Sequence, residues 1–398
     1  MKIVPSKKTE NIRYAIRDIV VEARKLKKTG KEIIYLNIGD PMVYDFETPR
    51  HMIDAVEKNW SRSSSYADSM GISEAREAVA REAARLGIKG VADENVLITA
   101  GGSEGIMMSV SAIMNRGENI LTPTPGYPLY NSAVAQFEGV MNSYKLDEEN
   151  EWQPDIEDMR KKINKKTKAI VVINPNNPTG SLYTKSTLKK IIDIAGEHDI
   201  PIFSDETYDK MILDDEFSFT ALGSIAGDVP VVTFNTLSKN YLVPGWRIGW
   251  MIFSGPEEAK AEYEEAVKKI ARARLSINHP QQYAVKAALE GPQGHIRETV
   301  KTLRKRRDIT CKRINEIDGL SVRKPRAAFY AFPRIDVSVR SDEEFVKKLL
   351  EEEGVLFVYG SGFGPLDGNY FRVVFAASEE ALNSAYDRLG RFMKRNWG

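Results

Sequence analysis

Residues 168–180 read KAIVVINPNNPTG: a lysine, five apolar residues, then Asn174-Pro175-Asn176-Asn177-Pro178-Thr179-Gly180. A short run dense in valine and isoleucine, closed by prolines and a glycine, reads as a strand buried on both faces. Five more runs of this kind occur: Asn95–Thr99, Asn119–Thr122, Ile200–Ser204, Val231–Asn235 and Arg247–Phe253. Helical spacing over Ser103–Met114, Tyr127–Gln136 and Thr184–Glu197 fills several of the gaps between them. That alternation predicts an α/β domain, a mostly parallel sheet covered on both faces, over about Trp60–Lys268.

The pattern changes towards the C-terminus. Long charged amphipathic helices are predicted over Pro256–Arg274 and Gly294–Glu316. Short strands follow near Ala328–Pro333, Val355–Val358 and Tyr370–Phe375, then a closing helix Ser378–Arg395 with Ser378 as N-cap. These describe a smaller α+β domain. An amphipathic helix near Arg13–Lys28 is expected to pack on it, so that domain is built from both chain ends. The expected division is an N-terminal segment 1–59, a large domain 60–268 and a small domain 269–398.

The chain has 398 residues, with 57 Lys and Arg against 56 Asp and Glu. So even a balance gives no support to nucleic-acid or anionic-membrane binding. No apolar run approaches the roughly 20 residues that span a bilayer. The single cysteine, Cys311, cannot form an internal disulfide, which fits a reducing compartment. The four histidines are scattered without metal-ligand spacing, so no metal is expected. A cytoplasmic globular protein is the expectation.

Ligands of open α/β sheets gather beyond the carboxyl ends of the strands. Asn177 lies just past one predicted strand, Asp205 past the next, and Thr236-Leu237-Ser238-Lys239 past a third, with Arg247 further on. Gly101-Gly102-Ser103 stands where a strand passes into a helix, a place where backbone N–H groups can meet an anion. Taken singly these are a turn, a helix cap, a solvated lysine and a surface ion pair. The glycines form neither a dinucleotide fingerprint nor a P-loop, so one small phosphate is indicated. Together they offer an amine, a carboxylate, amide and phenol donors, and a phosphate nest. Pyridoxal phosphate (PLP) needs all four: it has an aldehyde, a ring nitrogen, a phenolic oxygen and a phosphate.

Residues 36–41 (LNIGDP), 174–180, 204–208 (SDETY), 238–239 and 245–249 (GWRIG) stand in the order and spacing of a known family. The chain resembles, over essentially its whole length, the class I/II aminotransferases, PLP enzymes of fold type I. Within that family it is most similar to archaeal alanine aminotransferases, through 151–155 and 357–364. The resemblance implies a seven-stranded type of sheet in the large domain. It also implies that Lys239 condenses with the cofactor aldehyde and later carries the substrate proton. Asp205 would pair with the ring nitrogen, Asn177 and Tyr208 with the phenolic oxygen, and Tyr127 would stack on the ring. Gly102, Ser103, Thr236, Ser238 and Arg247 would hold the phosphate. Tyr66 would reach the phosphate of a partner subunit, making a homodimer with shared sites. Arg372 would grip the substrate α-carboxylate, supported by Asn37, Gly39 and Asn177. A distal carboxylate needs a second cation, for which Arg13, Arg17, Arg272 and Arg274 stand as candidates. Tyr359 departs from the family pattern in a loop that approaches the substrate.

The implied activity is transfer of an amino group between an L-amino acid and a 2-oxo acid in ping-pong half-reactions. Alanine with 2-oxoglutarate, or glutamate with pyruvate, is the leading pair. An aspartate, aromatic or broad-specificity aminotransferase, or a PLP carbon–sulfur β-lyase, stands as the alternative. No nucleic-acid or membrane partner is expected.

Overall fold

The computed structural model describes residues 2–12 and 14–398. Its large sheet has eight strands: β1 (Val96–Thr99), β2 (Asn119–Thr124), β3 (Asn142–Asp147), β4 (Gln153–Pro154), β5 (Thr167–Ile173), β6 (Ile202–Asp205), β7 (Val231–Thr236) and β8 (Gly249–Ser254). They lie in the order β1-β8-β7-β6-β5-β2-β3-β4. The β3–β2–β5–β6–β7 pairings are parallel; β8 runs antiparallel to both of its neighbours, and β4 to β3. Successive side chains of β5 point to opposite faces, as a pleat requires. Ile170 and Val172 pack under the helix Lys185–Glu197, and Ala169, Val171 and Ile173 under Gly102–Ile113 and Pro128–Gln136. With both faces covered, an unbroken apolar run is what the strand needs.

The strands β3 and β4 extend the sheet beyond what the sequence pattern suggested. Residues 142–147 (NSYKLD) alternate polar and apolar, because this edge is buried on one face only. Arg247 does not open β8 as expected. It takes a left-handed conformation (φ 55°) after the turn Pro244–Trp246, and the strand begins at Gly249.

The smaller sheet joins Leu320–Ser321, Arg334–Ile335, Asn369–Val374 and Tyr330–Ala331, with Val358–Tyr359 also paired to Asn369–Val374. Ile34–Tyr35 pairs in parallel with Val355–Leu356. The helix Ala15–Lys28 sends Ile19 and Ala23 into the core that holds Phe345, Leu349 and Phe371. Ser378 caps the closing helix Glu379–Trp397 by accepting from the Ala381 N–H.

Two helices fall outside the expected division. Arg50–Asn59, expected with the N-terminal segment, and Ala284–Glu290, expected with the small domain, both pack against the large sheet. Met52 and Val56 of one helix and Ala284, Val285 and Ala288 of the other share a core with Ile98 of β1 and Trp250 of β8. Chain order does not predict this, because burial follows apolar faces across segments far apart. Among the described residues no helix is long and apolar enough to cross a membrane, and no group of three metal-ligating side chains converges.

Candidate active site

The carboxyl ends of β5, β6 and β7 open into a cavity of about 520 Å³, closed on its other side by the N-terminal segment and the smaller sheet. Asn177, Asp205, Tyr208, Thr236, Ser238 and Lys239 line it, joined by Gly102, Ser103 and Tyr127 from the strand-to-helix turns. Arg247, Gly39 and Arg372 complete the predicted set found there.

Asp205 is buried at the end of β6. Its Oδ1 accepts from the Thr207 hydroxyl (2.8 Å) and N–H (3.3 Å), and its Oδ2 from the Tyr130 hydroxyl (3.3 Å). No cation among the described residues pairs with it, and burial pushes its carboxyl above the usual range. An uncompensated carboxylate facing a cavity calls for a cation inside that cavity.

Lys239 leaves the sheet after β7, and its Nζ donates to the Gly39 carbonyl. Burial lowers its amine to about 8, with Arg372, Arg247 and Arg17 pushing the same way and Asp40 opposing. Asn240, the next residue, donates from Nδ2 to Asp209 Oδ1 (2.6 Å) and to the Thr207 carbonyl (3.3 Å). The loops after β6 and β7 are thereby tied together, and with them Asp205 and Lys239.

Arg372 is buried in the strand Asn369–Val374, its guanidinium between two rings, 4.5 Å from the centroid of Tyr330 and 4.9 Å from that of Phe363. Nη1 donates to Asn177 Oδ1 (2.8 Å) and Nη2 to the Asn37 carbonyl (2.6 Å). The first bond orients the Asn177 amide, leaving its NH₂ for the cavity. Such a two-sided clamp fixes a planar fork for a carboxylate.

At the other end, Gly101 (φ 75°) begins the helix Gly102–Ile113. A Cβ at Gly101 would lie 2.4 Å from Arg247 Nη2, so only glycine lets this guanidinium sit against the turn. The Thr236 hydroxyl lies 2.8 Å from that of Ser238 and donates to the Ile248 carbonyl at 2.7 Å. Helix N–H groups, hydroxyls and an arginine at one spot form an anion site.

Two of the expected residues, Asn37 and Tyr66, are not among those lining the cavity. Asn37 does not present its side chain to the cavity: the amide is fully buried with both polar atoms unpartnered, and the residue acts through its carbonyl on Arg372. Tyr66 is 79% exposed and lies outside this chain's own cavity. Of the candidate cations for a distal carboxylate, Arg17 lines the cavity. Arg272 pairs with Glu265, and Arg274 bonds the Ser69 carbonyl and lies near Glu104. Arg13 lies outside the described residues. Sequence reasoning missed Tyr14, Asp40, Tyr130 and Tyr330. The Tyr14 hydroxyl donates to the hydroxyl oxygen of Tyr127 at 2.9 Å. None of the four stands at the end of an apolar run in a way that marks it.

A sheet with an amine, an unpaired carboxylate and an anion nest at adjacent strand ends defines a class of enzyme, and sequence comparison agrees. The profile of the aminotransferase class I and II family matches residues 31–389. The chain belongs to this family, whose members are PLP-dependent transferases. It is 37% identical to the glutamate-pyruvate aminotransferase AlaA of Escherichia coli K12, over 98% of each chain. It is 38% identical to the alanine aminotransferase of Mycobacterium tuberculosis, over 98% of this chain and 92% of that one. The solved alanine aminotransferase of Pyrococcus furiosus superposes with a TM-score of 0.96 at 44% identity, covering 99% of this chain and all of that one.

Proposed function

We propose that this cavity binds PLP and that the protein moves an amino group from glutamate to pyruvate, and in reverse from alanine to 2-oxoglutarate. The observation that carries the reading is the buried Asp205 carboxylate without a cation, in the same cavity as the part-buried Lys239 amine. A protonated ring nitrogen is the cation Asp205 lacks. The phenolic oxygen is an acceptor for the Asn177 NH₂ and the Tyr208 hydroxyl. The phosphate suits the N–H groups of Gly102 and Ser103, the hydroxyls of Ser103 and Ser238, and the Arg247 guanidinium; Thr236 would join them by turning its one proton away from the Ile248 carbonyl. Tyr127 would cover the ring face.

When bound, PLP supplies an electron sink and a carrier for the amino group. Asp205 keeps the ring nitrogen protonated. The Lys239 amine would hold the cofactor between turnovers and, once free, would carry the proton taken from the substrate Cα. An amine near 8 is partly neutral at physiological pH and so can act as a base. Arg372 would bind the α-carboxylate beside the Gly39 backbone, in the cavity that Lys239 also lines. Arg17 receives the distal carboxylate of glutamate.

The test is purified protein with glutamate and pyruvate, reading alanine. No alanine, with turnover of another pair, overturns the substrate but keeps the class. Release of pyruvate and ammonia from cystathionine favours a β-lyase instead. Arg372→Lys is expected to raise KM for every substrate by about 10- to 100-fold, since an ammonium cannot make the bidentate contact. Arg17→Met is expected to raise KM by a similar factor, about 10- to 100-fold, for glutamate and 2-oxoglutarate only. Equal effects of Arg17→Met on alanine and glutamate would remove its assignment.

We infer further that two chains pair. Trp60, Tyr66 and Leu275 stand exposed. Tyr66 would then reach the neighbouring phosphate, and a single-chain mass in sedimentation would exclude this.

A further inference from the structure

Tyr330 enters the cavity from the smaller sheet, facing the ends of the large-sheet strands. Its hydroxyl lies 2.7 Å from that of Tyr208, and its ring lies beneath the Arg372 guanidinium. The same hydroxyl abuts Gly39 so closely that a Cβ built there would lie 2.1 Å from it. The Gly39 carbonyl in turn accepts from Lys239. One side chain therefore touches the phenol, the guanidinium and the backbone that meets the lysine.

A count of protons orders these contacts. Each tyrosine hydroxyl has one proton to donate. Burial raises both hydroxyls above their ordinary range, so both keep that proton at working pH. If Tyr208 donates into the cavity, the bond between the two hydroxyls must use the proton of Tyr330. A hydroxyl that accepts a hydrogen bond becomes a better donor itself. Arg372 orients Asn177 in the same manner, by occupying its Oδ1.

We propose that Tyr330 is a positioning residue: it donates to Tyr208, commits the Tyr208 proton to the phenolic oxygen of the cofactor, and links that bond to the arginine that holds the substrate. This rests on the PLP reading of the cavity. Donation to the phenolic oxygen favours its anionic form. Losing the donor therefore moves the protonation of the bound chromophore to higher pH.

The experiment is a pH titration of the visible absorbance of the cofactor-loaded enzyme. Tyr208→Phe removes the direct donor and is expected to move the midpoint up by about one to two pH units. Tyr330→Phe deletes one oxygen and keeps the ring, and is expected to move it up by about half a unit to one unit. The double variant is expected to match Tyr208→Phe alone, because Tyr330 acts through Tyr208. Tyr330→Leu also removes the ring under Arg372, and should raise KM for the amino acid about three- to tenfold above that of Tyr330→Phe. A shift in Tyr208→Phe with a wild-type midpoint in Tyr330→Phe overturns the inference and leaves the cofactor reading standing. Additive shifts in the double variant also overturn it. No shift in Tyr208→Phe overturns the placement of Tyr208 at the phenolic oxygen, and the inference with it.

Discussion

Lys239→Ala is expected to lose about 10⁴-fold in turnover of glutamate and pyruvate, the upper range for one acid–base group. It should still take up cofactor reversibly, because the anion nest at Gly102 and Ser103 and the Asp205 carboxylate remain. Borohydride should fix the cofactor to residue 239 of the wild type and to nothing in the variant, from which dialysis should strip the colour. Wild-type turnover in Lys239→Ala would refute the assignment. The same amine has a pH signature in the cofactor-free wild type. Burial favours its neutral form, which places half-maximal reaction with an acylating reagent near pH 8. An unperturbed lysine needs about pH 10.4 for the same effect. Peptide mass mapping after brief labelling across pH 6–11 reads both.

Asp205→Asn is expected to cut turnover by about 10²- to 10³-fold, the cost of leaving one partner of a buried charge pair alone. An amide cannot hold the proton on the ring nitrogen, so the substrate Cα proton becomes harder to remove. Its effect on stability depends on the cofactor and changes sign. The native carboxyl titrates above its ordinary range because it is buried. Its contribution to stability is therefore intact below the ordinary carboxyl range and is lost as pH rises through the raised native value. At pH 8 the cofactor-free variant should melt higher than the cofactor-free wild type, by about 1 °C per kcal/mol recovered. That difference should vanish on acidification. With cofactor bound the order should reverse, since the wild type gains the cation it lacks. Calorimetry of the four forms tests this. A cofactor-free variant that melts lower than the wild type at pH 8 would contradict an unpaired carboxylate at 205.

Much of this site could be found along the chain. Asn177, Asp205 and Lys239 each follow a strand whose apolar run is plain in the sequence, and neighbouring parallel strands bring their ends together. Arg372 is different. It sits inside a strand, Asn369–Val374, and only family resemblance pointed to it. Its partners Tyr330, Phe363 and Asn37 come from three other segments. Asn37 was expected beside the substrate carboxylate; that it meets Arg372 through its carbonyl was not legible, because a motif gives the residue but not the direction in which it points. Tyr14 and Arg17 reach the cavity from the N-cap and first turn of the helix Ala15–Lys28, whose pattern shows only that one face is apolar.

Local pattern settled the alternation of strand and helix, the buried sheet, and which side chains stand at the strand ends, because each follows from a few consecutive residues and their period. Packing between distant segments settled the rest: that Asp205 lacks a cation, that the Lys239 amine is held near 8, that Tyr330 backs Tyr208, and that the helices Arg50–Asn59 and Ala284–Glu290 lie on the large sheet. Desolvation and hydrogen-bond partnership are sums over everything that surrounds an atom, and most of those surroundings lie far away along the chain.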